Sequence, residues 1–385
     1  MSEIKQIKPL LLCDYQEDGR VSMERYASRI LSGLVDRSGF QSASAFLPVF
    51  PVWLQYLPIS QIMKLRMARF IIYPYQVRKL QADIFHIVDH GYTHLLPSLE
   101  PEKTVVTVHD LIPLLAHKKL IKGLDFFWPP FLVRFSLSFL RRVARIIAVS
   151  ENTRNDLVRY LGCDPAKIQV DYNGLDKQLC SYSLLQREEC RRSFNFPGGK
   201  NHYVLVSGVQ AYKNHETSLK VISRLRELCK KPVFVVRFGA SSSKWNSLIR
   251  EHGLEDCQIT IGPLAQKRVV DMYNSVDCLL FPSWYEGFGW PPLEAMACGI
   301  PVVTSNVASL PEVVGSAGIM NSPDDVEGLA QSVYKVLTNT DLRDTLVEKG
   351  LNRAKSFTWE KTADKIAEIY QSINSSQSLR SGNCS

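Results

Sequence analysis

The sequence of 385 residues lacks features that define several large classes of protein. Its nine cysteines stand singly, with no C-x-x-C pair, which argues against a zinc ribbon or a disulfide framework. No uncharged apolar stretch reaches the roughly 18 residues of a membrane-spanning helix. The apolar run Pro9–Cys13 is too short for a secretory signal. We therefore expect reduced thiols and a cytoplasmic protein.

Acidic residues are nearly missing from two stretches of the first half, although the net charge of +8 is modest. None occurs between Asp36 and Asp83, and residues 118–147 contain only Asp125. Basic residues stand there among aromatic and aliphatic ones, a combination that suits the interface of an anionic membrane. Two core helices with solvated faces explain the same pattern. We keep both interpretations, the first as a hypothesis of peripheral contact through residues 56–81 and 118–147 at the inner face of the cell membrane. No nucleic-acid recognition module is present, so no nucleic-acid partner is expected.

Strands and helices alternate along the chain, with 45% apolar and 22% charged residues, as in an ordinary globular protein. Such alternation predicts parallel sheets covered by helices on both faces. The predicted fold class is α/β, with two Rossmann-like, doubly wound domains facing across a cleft. The predicted strands are 9–13, 83–88, 103–108, 145–149 and 168–172 in one domain, and 203–207, 232–238, 258–261, 278–281 and 301–304 in the other.

The alternation is interrupted once, by a polar, charged segment that ends in Phe196-Pro197-Gly198-Gly199. We place an N-terminal domain at 1–180, a linker at 181–200 and a C-terminal domain at 201–357. The Ser-, Asn- and Gln-rich tail over 373–385 is predicted to be disordered. In open α/β sheets ligands bind beyond the carboxyl ends of the strands, so functional residues are expected at those positions.

The segment FPSWYEGFGWPPLEAMACGIPVVTSN (281–306) contains the densest signal. A loop with two glycines precedes a helix that two prolines open, so free N–H groups and the positive end of the helix dipole form an anion site. Glu286 stands before this loop, and Glu294 is expected in the first turn of the helix. Helix capping or solvation would explain either carboxylate alone. Together with the glycines, the two predict a ligand pocket.

This segment resembles the E-x7-E signature of the retaining nucleotide-sugar glycosyltransferases of family 4, which have the GT-B fold. The resemblance covers most of the chain from about residue 83 on. It implies transfer of a hexose from a nucleoside-diphosphate sugar to a glycan or lipid-linked acceptor in cell-surface polysaccharide or glycolipid synthesis. It also implies no cofactor, and a helix over 358–372 that packs back toward the N-terminal, acceptor-binding domain. No Asp-x-Asp motif stands at a strand end, so we expect no essential metal. Other similar segments are VHDLIPL (108–114), AVSENTRNDL (148–157), GVQAYKN (208–214) and FTWEKTADKIAEIY (357–370).

The resemblance assigns a role to each matching residue of the C-terminal domain. It places Glu294 on the ribose hydroxyls of the nucleotide and Glu286 beside the transferred sugar. It places Lys213, which follows Gly208, on the diphosphate, where a cation stabilises the departing oxygen. The loop N–H groups, which would hold sugar hydroxyls and phosphate oxygens, belong to Gly287, Phe288 and Gly289. The base is expected against the turn that ends in Leu264.

In the N-terminal domain the resemblance places His109 against the donor sugar, across the cleft from Glu286, and gives Asp110 a supporting or acceptor-side role. The predicted catalytic residues are thus Glu286, His109 and Lys213. The HDLIPL segment resembles enzymes that use GDP-mannose, so mannose from GDP-mannose is the first expectation. The alternative is a glucosyl- or GlcNAc-transferase of the same family that uses a UDP-sugar.

Two departures from the family pattern concern the phosphate contacts. Relatives have a Gly-Gly pair after the first strand, whereas this chain has only Gly19, followed by Arg20. Relatives also place an arginine near the lysine, whereas Tyr212 stands here, so Arg237 is the candidate substitute. These departures keep open a non-catalytic subunit that binds a nucleotide sugar. Epimerases of related fold need acid/base groups at the sugar ring, and phosphorylases use a pyridoxal lysine. Both are disfavoured, because no matching lysine motif is found and the E-x7-E segment favours transfer.

Overall fold

The computed structural model describes residues 6–124, 128–239 and 242–382, with side chains up to residue 376. The chain divides into two compact units. The first contains residues 6–118, 128–174 and 358–382, and the second contains residues 119–124 together with 175–239 and 242–357. The predicted linker therefore lies within the second unit, and the chain returns to the first unit at residue 358.

Six parallel strands form the sheet of the first unit, in the order β2-β1-β3-β4-β5-β6. They are β1 (Pro9–Leu12), β2 (Ser44–Phe46), β3 (Ile84–Ile87), β4 (Thr104–Val108), β5 (Arg145–Ala148) and β6 (Ile168–Val170). The sheet grows in opposite directions from β1, because β2 pairs on one side of it and β3 on the other. The junction of β1 and β3 is therefore the topological switch point, where open α/β sheets bind ligands.

The sheet of the second unit is also six-stranded and parallel, in the order β12-β11-β10-β7-β8-β9. Its strands are β7 (His202–Val206), β8 (Val233–Phe238), β9 (Gln258–Ile261), β10 (Cys278–Phe281), β11 (Val302–Ser305) and β12 (Ile319–Asn321). Here the switch point lies between β7 and β10. The predicted fold class, α/β with two doubly wound parallel sheets, is confirmed. The sequence did not predict β2 and β12, which are edge strands of three residues each.

Helices connect the strands in both units. Those of the first unit are α1 (Val21–Val35), α2 (Val52–Gln55), α3 (Gln61–Met67), α4 (Tyr73–Val77), α5 (Ile112–His117), α6 (Pro130–Ser138) and α7 (Glu151–Leu161). Those of the second unit are α8 (Leu184–Ser193), α9 (His215–Leu228), α10 (Ser243–Glu251), α11 (Gln266–Asn274), α12 (Trp290–Ala297), α13 (Leu310–Val314), α14 (Val326–Thr338) and α15 (Thr340–Ala354). The last helix, α16 (Trp359–Gly382), belongs to the first unit. A π-helical segment, Ala68–Ile72, joins α3 to α4.

Two predicted segments differ from the structure. Within the predicted linker, α8 begins at a capping box in which Ser183 and Gln186 satisfy each other's backbone N–H groups. Its Arg191 pairs with Asp277 at 2.6 Å, which fixes the helix to the second unit. Helix α16 extends to Gly382, so the tail that was predicted to be disordered is helical up to that residue.

Apolar strands buried on both faces form the core of each unit, as the doubly wound pattern requires. Every residue of β4 and of β10 is buried. In the second unit α9 and α14 cover one face of the sheet, with Leu219, Ile222 and Val333 fully buried there. Among the described residues, no helix is both long and apolar enough to cross a bilayer.

Candidate functional site

The candidate site of the second unit lies at the carboxyl ends of β7 and β10, on both sides of the switch point. Strand β7 leads into Gly208 and a short 3-10 turn that ends at Lys213. Strand β10 leads into Ser283 and Glu286. Because adjacent parallel strands end at the same edge of the sheet, residues 73 positions apart in sequence meet here.

Lys213 and Glu286 form a buried ion pair. Lys213 Nζ lies 2.7 Å from Glu286 Oε1, and the two residues are 8% and 6% exposed. The hydroxyl of Ser283 donates to the same carboxylate oxygen at 2.7 Å. Lys213 Nζ also lies 4.6 Å from the centroid of the Phe281 ring, whose π face favours a cation. The structure thus brings together two of the three predicted catalytic residues.

Gly208 makes room for the lysine. Its φ of +95° lies in a region that side chains rarely adopt, and a Cβ there would lie 2.9 Å from Lys213 Cγ. The aliphatic part of Lys213 therefore packs directly on the glycine backbone. Gly208 thus allows the lysine to reach Glu286, and its predicted role in binding the donor stays a prediction.

Packing and hydrogen bonds fix the backbone of the glycine loop, residues 287–289, which precedes α12. Gly289 is the N-cap residue, with φ of +109°, and a Cβ there would lie 3.0 Å from Leu310. Phe288 is buried against Phe357, with 6.0 Å between ring centroids. Ser309 Oγ lies 2.6 Å from the carbonyl oxygen of Phe288 and 3.0 Å from that of Glu286, and its proton fixes this backbone.

Glu294 lies two residues further into its helix than predicted. Helix α12 begins at Trp290 rather than at Pro292, so Glu294 is in the second turn. Its Oε2 accepts a hydrogen bond of 2.9 Å from the hydroxyl of Tyr273 on α11. This contact orients a half-buried carboxyl group, which suits a group that accepts hydrogen bonds from ligand hydroxyls.

Two other predicted donor residues, Arg237 and Leu264, lie at or just after the ends of β8 and β9. Arg237, at the end of β8, is 1% exposed and lies over the ring of Trp245 at 4.8 Å, and burial lowers its pKa. His215, in the first turn of α9, was not among the predicted residues. It is neutral at pH 7, because burial, with a smaller contribution from nearby Arg237, lowers its pKa to about 4. Leu264 lies in a largely exposed turn after β9. The roles of Arg237 on phosphate and of Leu264 on the base stay predictions.

The predicted residues of the first unit lie at strand ends as well. His109 follows β4, and its Nε2 donates to the carbonyl oxygen of Val88 at 2.9 Å, while its ring packs edge-on against Tyr26 at 4.9 Å. Burial lowers the pKa of this histidine, so the ring is neutral at pH 7. Asp110 Oδ1 accepts a hydrogen bond from the N–H of Ile112, the first residue of α5. This hydrogen bond gives the carboxylate a local structural role.

Gly19 borders open space, and its predicted contact with phosphate stays a prediction. Its φ of +63° closes a 3-10 turn, and a methyl group added at this position would meet no atom within 4 Å. The glycine is therefore required by the turn and not by a close approach of other protein atoms. The next residue, Arg20, forms an ion pair with buried Asp89.

Three residues that support the site were not predicted: Ser283, Ser309 and Tyr273. Short hydroxyl side chains are common, and only their tertiary placement shows what they bond. All three lie in segments that resemble the family, Tyr273 and Ser283 in residues 261–283 and Ser309 in SLPEVVG (309–315), and this resemblance was the available signal.

The residues at the strand ends of the second unit form one cluster, the second-unit cluster, which contains Lys213, Ser283, Glu286, Glu294 and the glycine loop 287–289. This cluster is suited to binding an anion beside a group rich in hydroxyls. The N–H groups at the start of α12 and the Lys213 ammonium supply positive charge. Two carboxylates, on either side of the loop, supply acceptors for hydroxyls. Since Glu286 already holds Lys213, an entering diphosphate would compete with this carboxylate for the lysine, and the pair would loosen.

Two family patterns match the sequence. "Glycosyl transferases group 1" matches residues 186–353, and "Glycosyltransferase Family 4" matches residues 32–179. Together they cover about four fifths of the chain. The boundary between the two matches falls between residues 179 and 186, close to the start of the second unit in the structure.

Curated relatives and solved structures agree with these matches. The serotype-specific mannosyltransferase WbdA of Escherichia coli is 28% identical over 74% of this chain. The matched region spans 36% of the length of that relative. The sucrose-phosphate synthase of Thermosynechococcus elongatus superposes with a TM-score of 0.77 at 16% identity, over 96% of this chain and 100% of the other. HepE of Anabaena, solved with UDP and glucose, superposes with a TM-score of 0.73 at 18% identity, over 95% and 100%. The chain belongs to the family of group 1 glycosyltransferases.

Proposed function

We propose that the protein is a retaining, metal-independent hexosyltransferase that moves mannose from GDP-mannose to a glycan or lipid-linked acceptor. The observation that carries the proposal is the buried Lys213–Glu286 pair at the switch point, beside the N-terminus of α12. The mannosyltransferase WbdA supports mannose as the sugar. The alternative donor is UDP-glucose or UDP-GlcNAc, which the UDP and glucose bound to HepE support.

In the proposed reaction the bond between the anomeric carbon and the diphosphate oxygen breaks while an acceptor hydroxyl bonds to the same face of that carbon. The acceptor proton passes to the departing phosphate oxygen, so no protein base is required. Lys213 and the N–H groups around Gly289 stabilise the negative charge that builds on that oxygen. Glu286 and Glu294 would hold sugar and ribose hydroxyls, and His109 would position the donor sugar.

The donor proposal is tested by calorimetry and thermal shift with GDP, UDP, ADP and their common sugar conjugates. We expect GDP-mannose to stabilise the protein selectively, and Glu294→Ala to abolish the effect, whereas the exposed Glu348→Ala leaves it unchanged. Selective stabilisation by a UDP-sugar would replace the donor and leave the enzyme class intact. If no nucleotide sugar binds, the proposal fails. Binding of a nucleotide sugar without slow donor hydrolysis would favour the alternative of a non-catalytic subunit that binds the donor.

Retention and metal independence are tested on the product. The anomeric configuration of the new linkage, followed by NMR from the first turnovers, should match that of the donor sugar. Activity should be unchanged after treatment with EDTA. An inverted product or loss of activity that Mg²⁺ or Mn²⁺ restores would contradict these two parts of the proposal.

We also propose that the first unit contacts an anionic membrane surface at the cytoplasmic face. Large apolar side chains are exposed around α2 to α4, among them Trp53 at 56%, Tyr56 at 82% and Ile71 at 63%. They share this region with Lys64 and the partly exposed Arg66, and no carboxylate lies in the sequence between. In the second basic segment, Phe131 and Phe135 of α6 are exposed as well, whereas Phe126 and Phe127 lie outside the described residues.

The structure removes one basic residue from this surface. Arg69, which the sequence placed among the membrane-facing cations, is 4% exposed and paired with Asp18 at 3.1 Å. A buried, paired guanidinium does not reach lipid headgroups. Its role lies inside the first unit.

A further inference from the structure

The first unit contains a concave cavity that none of the predicted roles uses. It encloses about 380 Å³, within the range of about 300–1,000 Å³ that is typical of small-molecule sites. Its lining includes Lys118, Arg134, Ser138, Arg141 and Tyr160. We propose that this cavity, the basic pocket, binds a phosphate group of a ligand other than the sugar donor.

The basic pocket extends away from the edge of the first sheet where the strands end. Helix α7 connects the parallel neighbours β5 and β6, so it runs back from the carboxyl ends of the strands toward their amino ends. Tyr160 lies near the end of α7, and Arg141 lies just before β5 begins. Doubly wound folds bind their substrates beyond the carboxyl ends of the strands, which is the opposite edge of the sheet. A ligand at Tyr160 and Arg141 is therefore not placed where a substrate is expected.

Three cations and no carboxylate line the basic pocket. Lys118, Arg134 and Arg141 form no ion pair within the described part of the chain. The sequence supplies few partners nearby, since Asp125 is the only acidic residue between positions 118 and 147. A concave surface with charges of one sign concentrates the electric field and attracts counter-ions. The pocket is thus suited to an anion.

The helix ends beside these cations offset only part of their charge. Helices α5 and α7 end at His117 and Leu161, and both residues are in the lining. A helix C-terminus carries roughly half a negative charge, so the two ends together supply at most about one. About two positive charges remain. A phosphate monoester, with a charge of about −1.5 to −2 at pH 7, matches this excess, whereas a single carboxylate would leave half of it unbalanced.

Arg141 is held in place by the protein itself. Its Nε donates a hydrogen bond of 2.6 Å to the carbonyl oxygen of Leu161, one of the carbonyls that the end of α7 leaves without a helical partner. Its two terminal nitrogens make no hydrogen bond to any residue that the structure describes. An arginine fixed in this way offers a fork of N–H donors, the geometry that binds two oxygens of one phosphate.

Tyr160 adds an uncharged donor to the same wall. Its hydroxyl makes no hydrogen bond to another described residue, and Lys118 Nζ lies 5.9 Å from the centroid of its ring. The oxygens of an ionised phosphate accept hydrogen bonds, so this hydroxyl and the ammonium group can each bind one. Ser138 is not available in this way, because its hydroxyl donates to the carbonyl oxygen of Phe135 at 2.7 Å.

Exposed aromatic rings lie on the same helix as Arg134. Phe131 and Phe135 of α6 are 68% and 51% exposed. Phe131 precedes Arg134 by three residues, which makes the two side chains neighbours on the helix surface. A lipid headgroup and a soluble phosphate ester both carry the group that the pocket would bind. The rings beside the pocket suit the lipid, and the experiment below distinguishes the two sources.

The test is phosphorus NMR on the full chain, with glycerol 3-phosphate as the probe at constant ionic strength. We expect the probe to bind, and its dissociation constant to rise roughly threefold or more in Arg134→Gln and in Lys118→Gln. The matched control is Arg142→Gln, which removes the same charge from an exposed position outside the lining and should follow the wild type. Absence of binding to the wild type, or the same loss in all three variants, would overturn the proposal.

A second arm separates the basic pocket from the second-unit cluster, which also offers an anion site. The dependence on Arg134 should persist in the double variant Lys213→Met, Glu286→Gln, which lacks the cation of that cluster. Binding that is lost in the double variant and retained in Arg134→Gln would place the phosphate at the donor site and overturn the proposal. Stabilisation by a nucleotide sugar should be unchanged in Arg134→Gln, so this proposal and the proposed function can fail independently.

Co-sedimentation with vesicles distinguishes the two sources of phosphate. The vesicles contain phosphatidic acid, whose headgroup is a monoester, or phosphatidylglycerol, a diester, and are matched in surface charge. A lipid source predicts that Arg134→Gln weakens binding to the phosphatidic acid vesicles more than to the others, and that Arg142→Gln does not discriminate. If Arg134→Gln binds both vesicles like the wild type but has lost glycerol 3-phosphate, the ligand of the pocket is a soluble phosphate ester.

Discussion

The ion pair between Lys213 and Glu286 illustrates how single residues serve function at a cost to stability. Both charges are removed from water, and their attraction at 2.7 Å offsets this cost only in part. An apolar pair of similar volume would stabilise the fold at least as well. The pair is therefore better explained by the ligand that would share it than by the fold.

A double-mutant cycle tests this explanation. Lys213→Met leaves Glu286 buried without its cation, and we expect the free energy of unfolding to fall by about 3 kcal/mol. Adding Glu286→Gln should restore at least half of the loss, whereas donor hydrolysis should stay abolished in both variants. Chemical denaturation and hydrolysis assays measure the two effects. Additive losses of stability would show that the two side chains do not interact.

Asp171 makes the stability of the first unit depend on pH. Burial raises the pKa of this carboxyl to about 8, although Lys365 lies 3.9 Å away, and its Oδ2 has no hydrogen-bond partner among the described residues. A carboxyl with a raised pKa in the folded state contributes most at low pH, and its contribution is lost as the pH rises from about 4 to 8. Asp171→Asn should therefore raise the stability at pH 7 by something on the order of 3 kcal/mol, and should have little effect at pH 4.

Thermal unfolding of the wild type and Asp171→Asn between pH 4 and 8 measures this difference. Asp36→Asn, at an exposed position of the same unit, is the matched control and should follow the wild type. Parallel curves for the wild type and Asp171→Asn would contradict the assignment.

At this scale the sequence predicted the charged members of the site and missed their supports. Glu286 and Lys213 were found because they follow strand ends beside glycines, and Glu294 because it completes the E-x7-E spacing with Glu286. Ser283 and Ser309 were missed because a hydroxyl becomes informative only when its partner is known, and those partners are set by tertiary structure.

Helix α16 shows how one element is tied to a sheet distant in sequence. The hydroxyl of Tyr370 lies 2.6 Å from Nδ1 of His86 in β3, and His86 Nε2 lies 2.8 Å from the hydroxyl of Thr107 in β4. All three residues are fully buried. Arg37 of the first unit also pairs with Asp364 at 2.6 Å. The helix is thus a structural part of the first unit.

Removing one hydroxyl should loosen this helix. Tyr370→Phe leaves a nitrogen of His86 without its buried partner, which should lower the free energy of unfolding by about 1–3 kcal/mol. Hydrogen exchange of α16 should accelerate at the same time. Tyr56→Phe, at an exposed tyrosine, is the control and should change neither quantity. Unchanged exchange in Tyr370→Phe would mean that this hydrogen bond does not hold the helix.

Most strands and helices were predicted from local patterns, and the exceptions lack such a pattern or resemble a linker. Strands β2 (Ser-Ala-Phe) and β12 (Ile-Met-Asn) have three residues each and lack the two β-branched residues that mark β6, which is equally short and was predicted. Helix α8 was missed although Ser183 and Gln186 form a capping box, because its polar sequence resembles a linker.

On the scale of the whole molecule, exposed apolar side chains are concentrated on the first unit around α2 to α4. If they contact a membrane, replacing Trp53 and Tyr56 by serine and Lys64 by glutamate should reduce co-sedimentation with anionic liposomes at least fivefold. The matched control replaces Leu184 and Leu185 of the second unit, which are 79% and 77% exposed, by serine. Equal losses in the two variants would indicate nonspecific adhesion, and unchanged binding in the first would reject the contact.

The sequence by itself determined the α/β class, the parallel sheets and the positions of the polar strand ends. These properties follow from local alternation and from which residues a buried strand or a helix start accepts. Only the tertiary structure decided which strand ends are neighbours, because the order of strands at a switch point joins segments far apart in the chain. That order pairs Lys213 with Glu286, and it buries Arg69 beside Gly91, where the sequence had placed a surface cation.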